Sequence, residues 1–140
     1  MTDPILTNPE KIWSELLFVF QGTLTWKLDN RFSTLLSEIE VQDQGKIREI
    51  LCRHLMITWD NGNIGNAPEP IKAVNNMLGG LSPGQMLFTS EPDPNHFIYC
   101  AWWPWGNGKK ISLRIAPSDM KILSQKQNNF IDRLKEKLGL

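Results

Sequence analysis

The chain has 140 residues with 15 basic and 15 acidic side chains, so its formal net charge at neutral pH is zero. Six Trp and a hydrophobic fraction of 41% exclude an intrinsically disordered chain, because such chains have few aromatic residues and a large net charge. The longest uninterrupted aliphatic and aromatic run, residues 16–20, is far shorter than the ~20 residues of a membrane-spanning helix. We therefore predict a single globular domain over residues 1–140.

The ends and the cysteines of the chain bear on its location. Residues 1–4 carry neither the cationic start nor the apolar stretch of a signal peptide. Two cysteines, Cys52 and Cys100, are too few for a disulfide framework, which favours reduced thiols. These features predict a cytoplasmic protein that does not associate with a membrane.

The first predicted elements are a helix and a strand. Asn8 supplies an N-cap and Pro9 suits the first helical position, and apolar residues then recur at helical spacing as far as Phe20. After Gly22, residues 23–28 alternate between polar and apolar side chains. This alternation predicts a half-buried strand.

Two further helices are predicted in the next third of the chain. Asp29 and Asn30 resemble a cap, and the apolar residues that follow fall at i, i+3, i+4 and i+7: Phe32, Leu35, Leu36 and Ile39. The same spacing predicts a helix over residues 47–55. Residues 55–59 fit the end of that helix or a short strand equally well, and the sequence does not decide between them.

The second half predicts a short helix, three strands and a final helix. Residues 71–78 have helical spacing, with Gly79 suited to the position after the helix. Strands are predicted near 85–89, 96–103 and 109–116, and an amphipathic helix over 118–138. The predicted fold class is therefore α+β, with an antiparallel sheet of four strands (near 23–28, 85–89, 96–103 and 109–116) packed with about five helices, including the carboxy-terminal amphipathic one.

The strongest local signal is a hairpin centred on Asn107 and Gly108, which tolerate the positive φ of a type I′ turn. The resulting register gives the hairpin one uniformly apolar face, the predicted core. The opposite face mixes large rings with cations, and its candidate binding residues are Phe97, Tyr99, Trp103, Trp105, Lys110 and Arg114. A one-residue slip would mix the two sets, which supports the register.

Several functions fit this aromatic and basic face. Residues 1–100 carry a net charge of −5 and residues 101–140 a net charge of +5, so the basic region begins beside Trp103 and Trp105. We predict a small interaction or regulatory protein, with a protein partner or self-association through these residues, unless a helix covers them. The alternative partner is single-stranded nucleic acid, with bases stacked on the rings and phosphates beside the cations.

The motifs that resemble catalytic or metal sites do not form a coherent set. Residues 80–84 match the Gly-x-Ser-x-Gly pattern of serine hydrolases, but Pro83 lacks the backbone N–H that the oxyanion hole requires. Neither Cys52 with His54 nor His96 with Cys100 has the spacing for one zinc ion on the predicted elements. We predict no catalytic residue, metal ion or cofactor, and retain an enzyme using a Cys and a His as a third hypothesis.

Overall fold

The computed structural model describes residues 9–92 and 96–118. Its centre is a six-stranded antiparallel sheet with the strand order β1-β2-β6-β5-β4-β3. The strands are β1 (Lys27–Asp29), β2 (Thr34–Glu40), β3 (Ile57–Trp59), β4 (Met86–Thr89), β5 (Ile98–Pro104) and β6 (Lys110–Pro117). Within the described residues the α-helices are α1 (Pro9–Phe20), α2 (Gln44–His54) and α3 (Glu69–Met77). None of these helices is long and apolar enough to cross a membrane.

The α+β class and the antiparallel sheet agree with the sequence-based prediction, but the counts of elements do not. The sheet has six strands instead of four, and the described ranges contain three α-helices instead of about five. The predicted carboxy-terminal helix lies almost entirely outside the described residues. The open question over residues 55–59 has a clear answer, because α2 ends at His54 and Ile57–Trp59 forms the edge strand β3.

The predicted helix over Phe32–Ile39 is wrong, because this segment contains β2. Leu35 and Ile39 are four residues apart, a spacing that places them on one face in a strand as well as in a helix. Between them Ser37 is buried on that same face, and its polar side chain conceals the alternation. Asp29 does not cap a helix here; its side chain accepts a hydrogen bond from the backbone N–H of Arg31 at 3.0 Å, which turns the chain from β1 into β2.

The β5–β6 hairpin has the predicted register, with Cys100 opposite Ile115 and Trp102 opposite Leu113. Its turn differs from the prediction. Gly108 has φ 71°, whereas Asn107 does not take a positive φ, so a type I′ turn is wrong. The Asn107 side chain instead accepts a hydrogen bond from the Lys109 backbone N–H at 2.9 Å.

The two faces of the sheet carry separate hydrophobic clusters. One face packs against α1 and α2, and its strand residues include Phe88, Ile98, Cys100, Trp102, Leu113 and Ile115. The opposite face, here called the α3 face, packs α3 and neighbouring loops against Leu87, Phe97, Tyr99, Ala101 and Ala116. These contacts lie over β4, β5 and the end of β6, so most of the β1–β2 side of the α3 face carries polar, partly exposed residues.

Candidate interaction surface

Two of the six candidate binding residues are buried, and the other four belong to two accessible groups. Phe97 and Tyr99 are 1% and 2% exposed, beneath the cluster that α3 forms. A partner cannot reach these two rings in this structure. Trp103, Lys110 and Arg114 are partly buried, and Trp105 is exposed.

Arg114 is the centre of the first accessible group. Its guanidinium carbon lies 4.5 Å from the centroid of the Trp103 ring and 5.3 Å from that of Phe32. The two rings meet edge to face with their centroids 5.6 Å apart. The Nε–H of Arg114 donates a 2.8 Å hydrogen bond to Oδ2 of Asp29, from the far edge of the sheet. Cation–π contact and a charge-assisted hydrogen bond therefore hold Arg114 in one position.

This arrangement favours the ionised form of Asp29. Burial alone would raise its pKa, but hydrogen bonds from the Arg114 side chain and the Arg31 backbone, with the attraction of both guanidinium charges, outweigh burial and lower the pKa below 3.8. A lowered pKa in the folded state stabilises the fold above about pH 4, and this contribution is lost as the pH falls through the folded-state pKa.

We accordingly expect Asp29→Asn to destabilise the fold by about 1–3 kcal/mol at pH 7, because Arg114 loses its charged acceptor. The measurement is urea unfolding of both proteins at pH 7 and at pH 3. The difference between them should be smaller at pH 3, below the ordinary pKa of Asp29, because the stabilising contribution of a lowered folded-state pKa decreases as the pH falls through that range. Glu91→Gln, at an exposed carboxylate, is the control, and an Asp29→Asn effect as small as the control at pH 7 would contradict the assignment.

Trp105 is the centre of the second accessible group, at the tip of the hairpin. Its indole N–H donates a 2.8 Å hydrogen bond to Oγ of Ser112. The Lys110 Nζ atom lies 5.6 Å from the ring centroid and 3.8 Å from a carboxylate oxygen of Glu40. The ring is 37% exposed and yet fixed by these contacts.

Sequence reasoning missed the residues that the β1–β2 turn contributes. Phe32 packs against Trp103, and the Arg31 guanidinium carbon lies 4.8 Å from the centroid of the Phe32 ring. The signal that could have identified them is the Asp-Asn-Arg-Phe-Ser stretch interpreted as a turn between two strands. The predicted helix over Phe32–Ile39 excluded that interpretation.

Cys100 and His54 are two of the residues on which the enzyme hypothesis depends. Cys100 is fully buried, burial raises the pKa of its thiol, and the thiol donates only to the Ala101 carbonyl oxygen at 3.7 Å. Burial therefore disfavours the thiolate that a nucleophile needs. His54 lies with Nδ1 3.0 Å from the Ile50 carbonyl oxygen and Nε2 4.0 Å from Glu15. The described part of the chain contains no group of three or more His, Cys, Asp or Glu residues that could hold a metal ion.

Comparisons with protein-family models, with curated proteins and with solved structures found no significant match to this chain. The interpretation of the surface therefore depends on its own geometry and chemistry.

Proposed function

We propose that the protein acts by binding another protein chain through the hairpin surface, defined as Phe32, Trp103, Trp105, Lys110, Ser112 and Arg114. One observation carries the proposal: Trp105 is exposed but held in place by Ser112 and Lys110. Trp and Arg dominate the binding energy of protein interfaces, and a side chain fixed before binding loses little entropy when the partner arrives.

The charges beside the rings indicate the chemistry of the partner. Lys109 is exposed at the hairpin tip, and Arg31 is exposed above Phe32 with no ion pair to any described residue. A partner segment with an acidic side chain beside Arg31 or Lys109, and an apolar or aromatic side chain against Trp105, complements this surface. The partner is a different protein or a second copy of this chain.

Nucleic acid is less well supported by the same surface. Arg114 already has Asp29 as its partner, and Lys110 lies near Glu40. A phosphate backbone on these cations would also face those carboxylates, and Glu38 is exposed on the same side of the sheet. Single-strand binders instead follow the phosphates with an uninterrupted positive groove.

The test compares two exposed aromatic residues in different parts of the protein. Trp105→Ala is expected to weaken binding at least tenfold, whereas Phe18→Ala, at a residue of α1 that is 76% exposed, should leave it unchanged. Size-exclusion chromatography with light scattering measures binding to a second copy. Capture on immobilised protein, followed by titration of the purified partner, measures binding to a different protein.

Two results would count against the proposal. One is equal binding by wild type and Trp105→Ala. The other is tight binding of single-stranded DNA, measured by fluorescence anisotropy, that weakens steeply with salt and is lost in Trp105→Ala. That result would make nucleic acid the partner of this surface.

A further inference from the structure

The outer edge of β2 is paired over only part of its length. The edge strand β1 pairs with residues 34–36, whereas β2 continues to Glu40. Residues 22–26 precede β1 and run beside the rest of β2 without a backbone hydrogen bond to it among the described residues. The backbone N–H groups of Thr23 and Leu24 both donate instead to the Phe20 carbonyl, at 3.0 and 2.9 Å.

The register shows which backbone groups this edge presents. The Val41 N–H donates to the Lys109 carbonyl at 3.0 Å, toward β6. In an antiparallel sheet alternate residues direct their N–H and C=O groups to opposite neighbours, so Ser37 and Ile39 also bond toward β6. Glu38 therefore directs its N–H and C=O groups outward, and Glu40 its N–H, where β1 does not reach. The Glu40 C=O accepts the first hydrogen bond of the short 3-10 helix Val41–Asp43, so three backbone groups on this edge have no backbone partner within the described residues.

A groove of about 440 Å³ lies along this open edge. Residues 22–25 form one wall and residues 38–40 the other, with Asp43, Lys46 and Ile47 at the end nearest α2. Trp26 follows the first wall in the chain, is 2% exposed and packs against the Phe20 ring with centroids 5.9 Å apart, so the chain is anchored in the core at this point.

We propose that an extended basic peptide segment of a partner binds this groove as an added strand along β2. Strand addition supplies the hydrogen bonds that the edge lacks, and alternate side-chain positions supply the specificity. On one side of the added strand the neighbours are Glu38 and Glu40, and Glu40 also lies 3.8 Å from Lys110 Nζ. Among the other residues that line the groove, Asp43 adds a carboxylate and Lys46 is the one cation. On the other side of the added strand the neighbours are Ile39 and Leu24. The matching segment therefore alternates Lys or Arg with apolar residues.

This binding site adjoins the hairpin surface through the Glu40–Lys110 contact, but it shares no residue with it and differs from it in charge. The groove is acidic, whereas the hairpin surface is aromatic and basic. The inference does not depend on the proposed function, and either can fail without the other.

The probe is a fluorescein-labelled octapeptide of alternating Lys and Val, titrated by fluorescence anisotropy. A peptide of the same composition with its four Lys contiguous is the control for charge alone. We expect the alternating peptide to bind at least tenfold more tightly, because only its pattern places every Lys on the Glu38 and Glu40 side of an added strand.

The decisive variant is Glu40→Pro, with Glu40→Ala as its matched control. Glu40 has φ −74° and ψ 142°, which Pro adopts without strain, and its outward N–H has no partner to lose. Both variants lose the carboxylate, but only the Pro variant loses the N–H. We expect Glu40→Pro to bind the alternating peptide at least tenfold more weakly than Glu40→Ala, with thermal midpoints of unfolding within a few degrees of each other.

Amide hydrogen exchange provides a second measurement that does not depend on the folding of the Pro variant. In the free protein the amides of Glu38 and Glu40 should exchange much faster than those of Ser37 and Ile39, and the alternating peptide should slow them at least tenfold. The proposal is overturned if the alternating peptide does not bind, if Glu40→Pro and Glu40→Ala bind it equally, or if the Glu38 and Glu40 amides are already protected in the free protein.

Discussion

Trp102→Ala is expected to lower the free energy of unfolding by about 3–5 kcal/mol, the usual cost of truncating a buried Trp. The Trp102 side chain is 2% exposed and lies edge to face with Phe88, with ring centroids 5.7 Å apart. Both rings belong to the cluster beneath α1 and α2. Removing the indole leaves a cavity that the surrounding helices and strands fill only in part. The measurement is equilibrium unfolding in urea.

Trp105→Ala is the matched control, because the two tryptophans lie three residues apart on the same hairpin. Trp105 is at the exposed tip, so its truncation should cost about 1 kcal/mol or less. The contrast tests the register of the hairpin as well as the burial of its faces. Similar costs for the two variants would mean that the assignment of the two faces is wrong.

A second large effect is expected at alkaline pH, from Tyr99. Burial, with a smaller contribution from the neighbouring Cys100 thiol, raises the pKa of Tyr99 to about 12 from an ordinary value of 10.0. Above pH 10 the phenol ionises in the unfolded chain while it remains neutral in the folded chain. The stabilising contribution is complete below pH 10 and is lost as the pH rises toward 12. Over that range it amounts to roughly 2–3 kcal/mol.

The measurement is the free energy of unfolding of wild type and of Tyr99→Phe at pH 9, 10 and 11. Phe fits the same buried site and cannot ionise, so the variant should lose less stability than wild type as the pH rises. Other groups titrate in both proteins, and the difference between the two curves isolates Tyr99. Parallel curves would contradict a buried, neutral phenol.

The hairpin could be predicted from the sequence because its information is local. Asn107 and Gly108 mark the turn, and the alternation on both sides fixes the register, so the pairing of Trp102 with Leu113 followed from counting residues. The geometry of the turn could not be predicted by counting residues. It depends on the hydrogen bond from the Lys109 backbone N–H to the Asn107 side chain, which residue preferences alone do not reveal.

The strand β2 shows where sequence reasoning failed. Its buried face alternates Leu35, Ser37 and Ile39, and the two apolar members alone fit a helix equally well. What selects the strand is pairing with β6, whose partner residues lie 70 to 80 positions further along the chain. Long-range pairing of this kind overrides a local periodicity.

The proposed binding surface was predictable only in part for the same reason. The sequence placed Phe97 and Tyr99 on the same face as Trp103, and the structure buries both beneath the α3 cluster. The contact of Arg114 with Asp29 joins residues 85 positions apart, and no local pattern indicates it. Sequence reasoning therefore placed these side chains on one face of the hairpin but could not show which of them stay accessible.

Site-specific photocrosslinking in the native cell tests the central claim most directly. Trp105→benzoylphenylalanine places the photoreactive group at the hairpin tip, and Phe18→benzoylphenylalanine places it on the exposed side of α1. We predict a discrete crosslinked protein from position 105 that is missing from position 18. A crosslink pattern that is the same from both positions, or no crosslinked protein from position 105, would contradict binding through the hairpin surface.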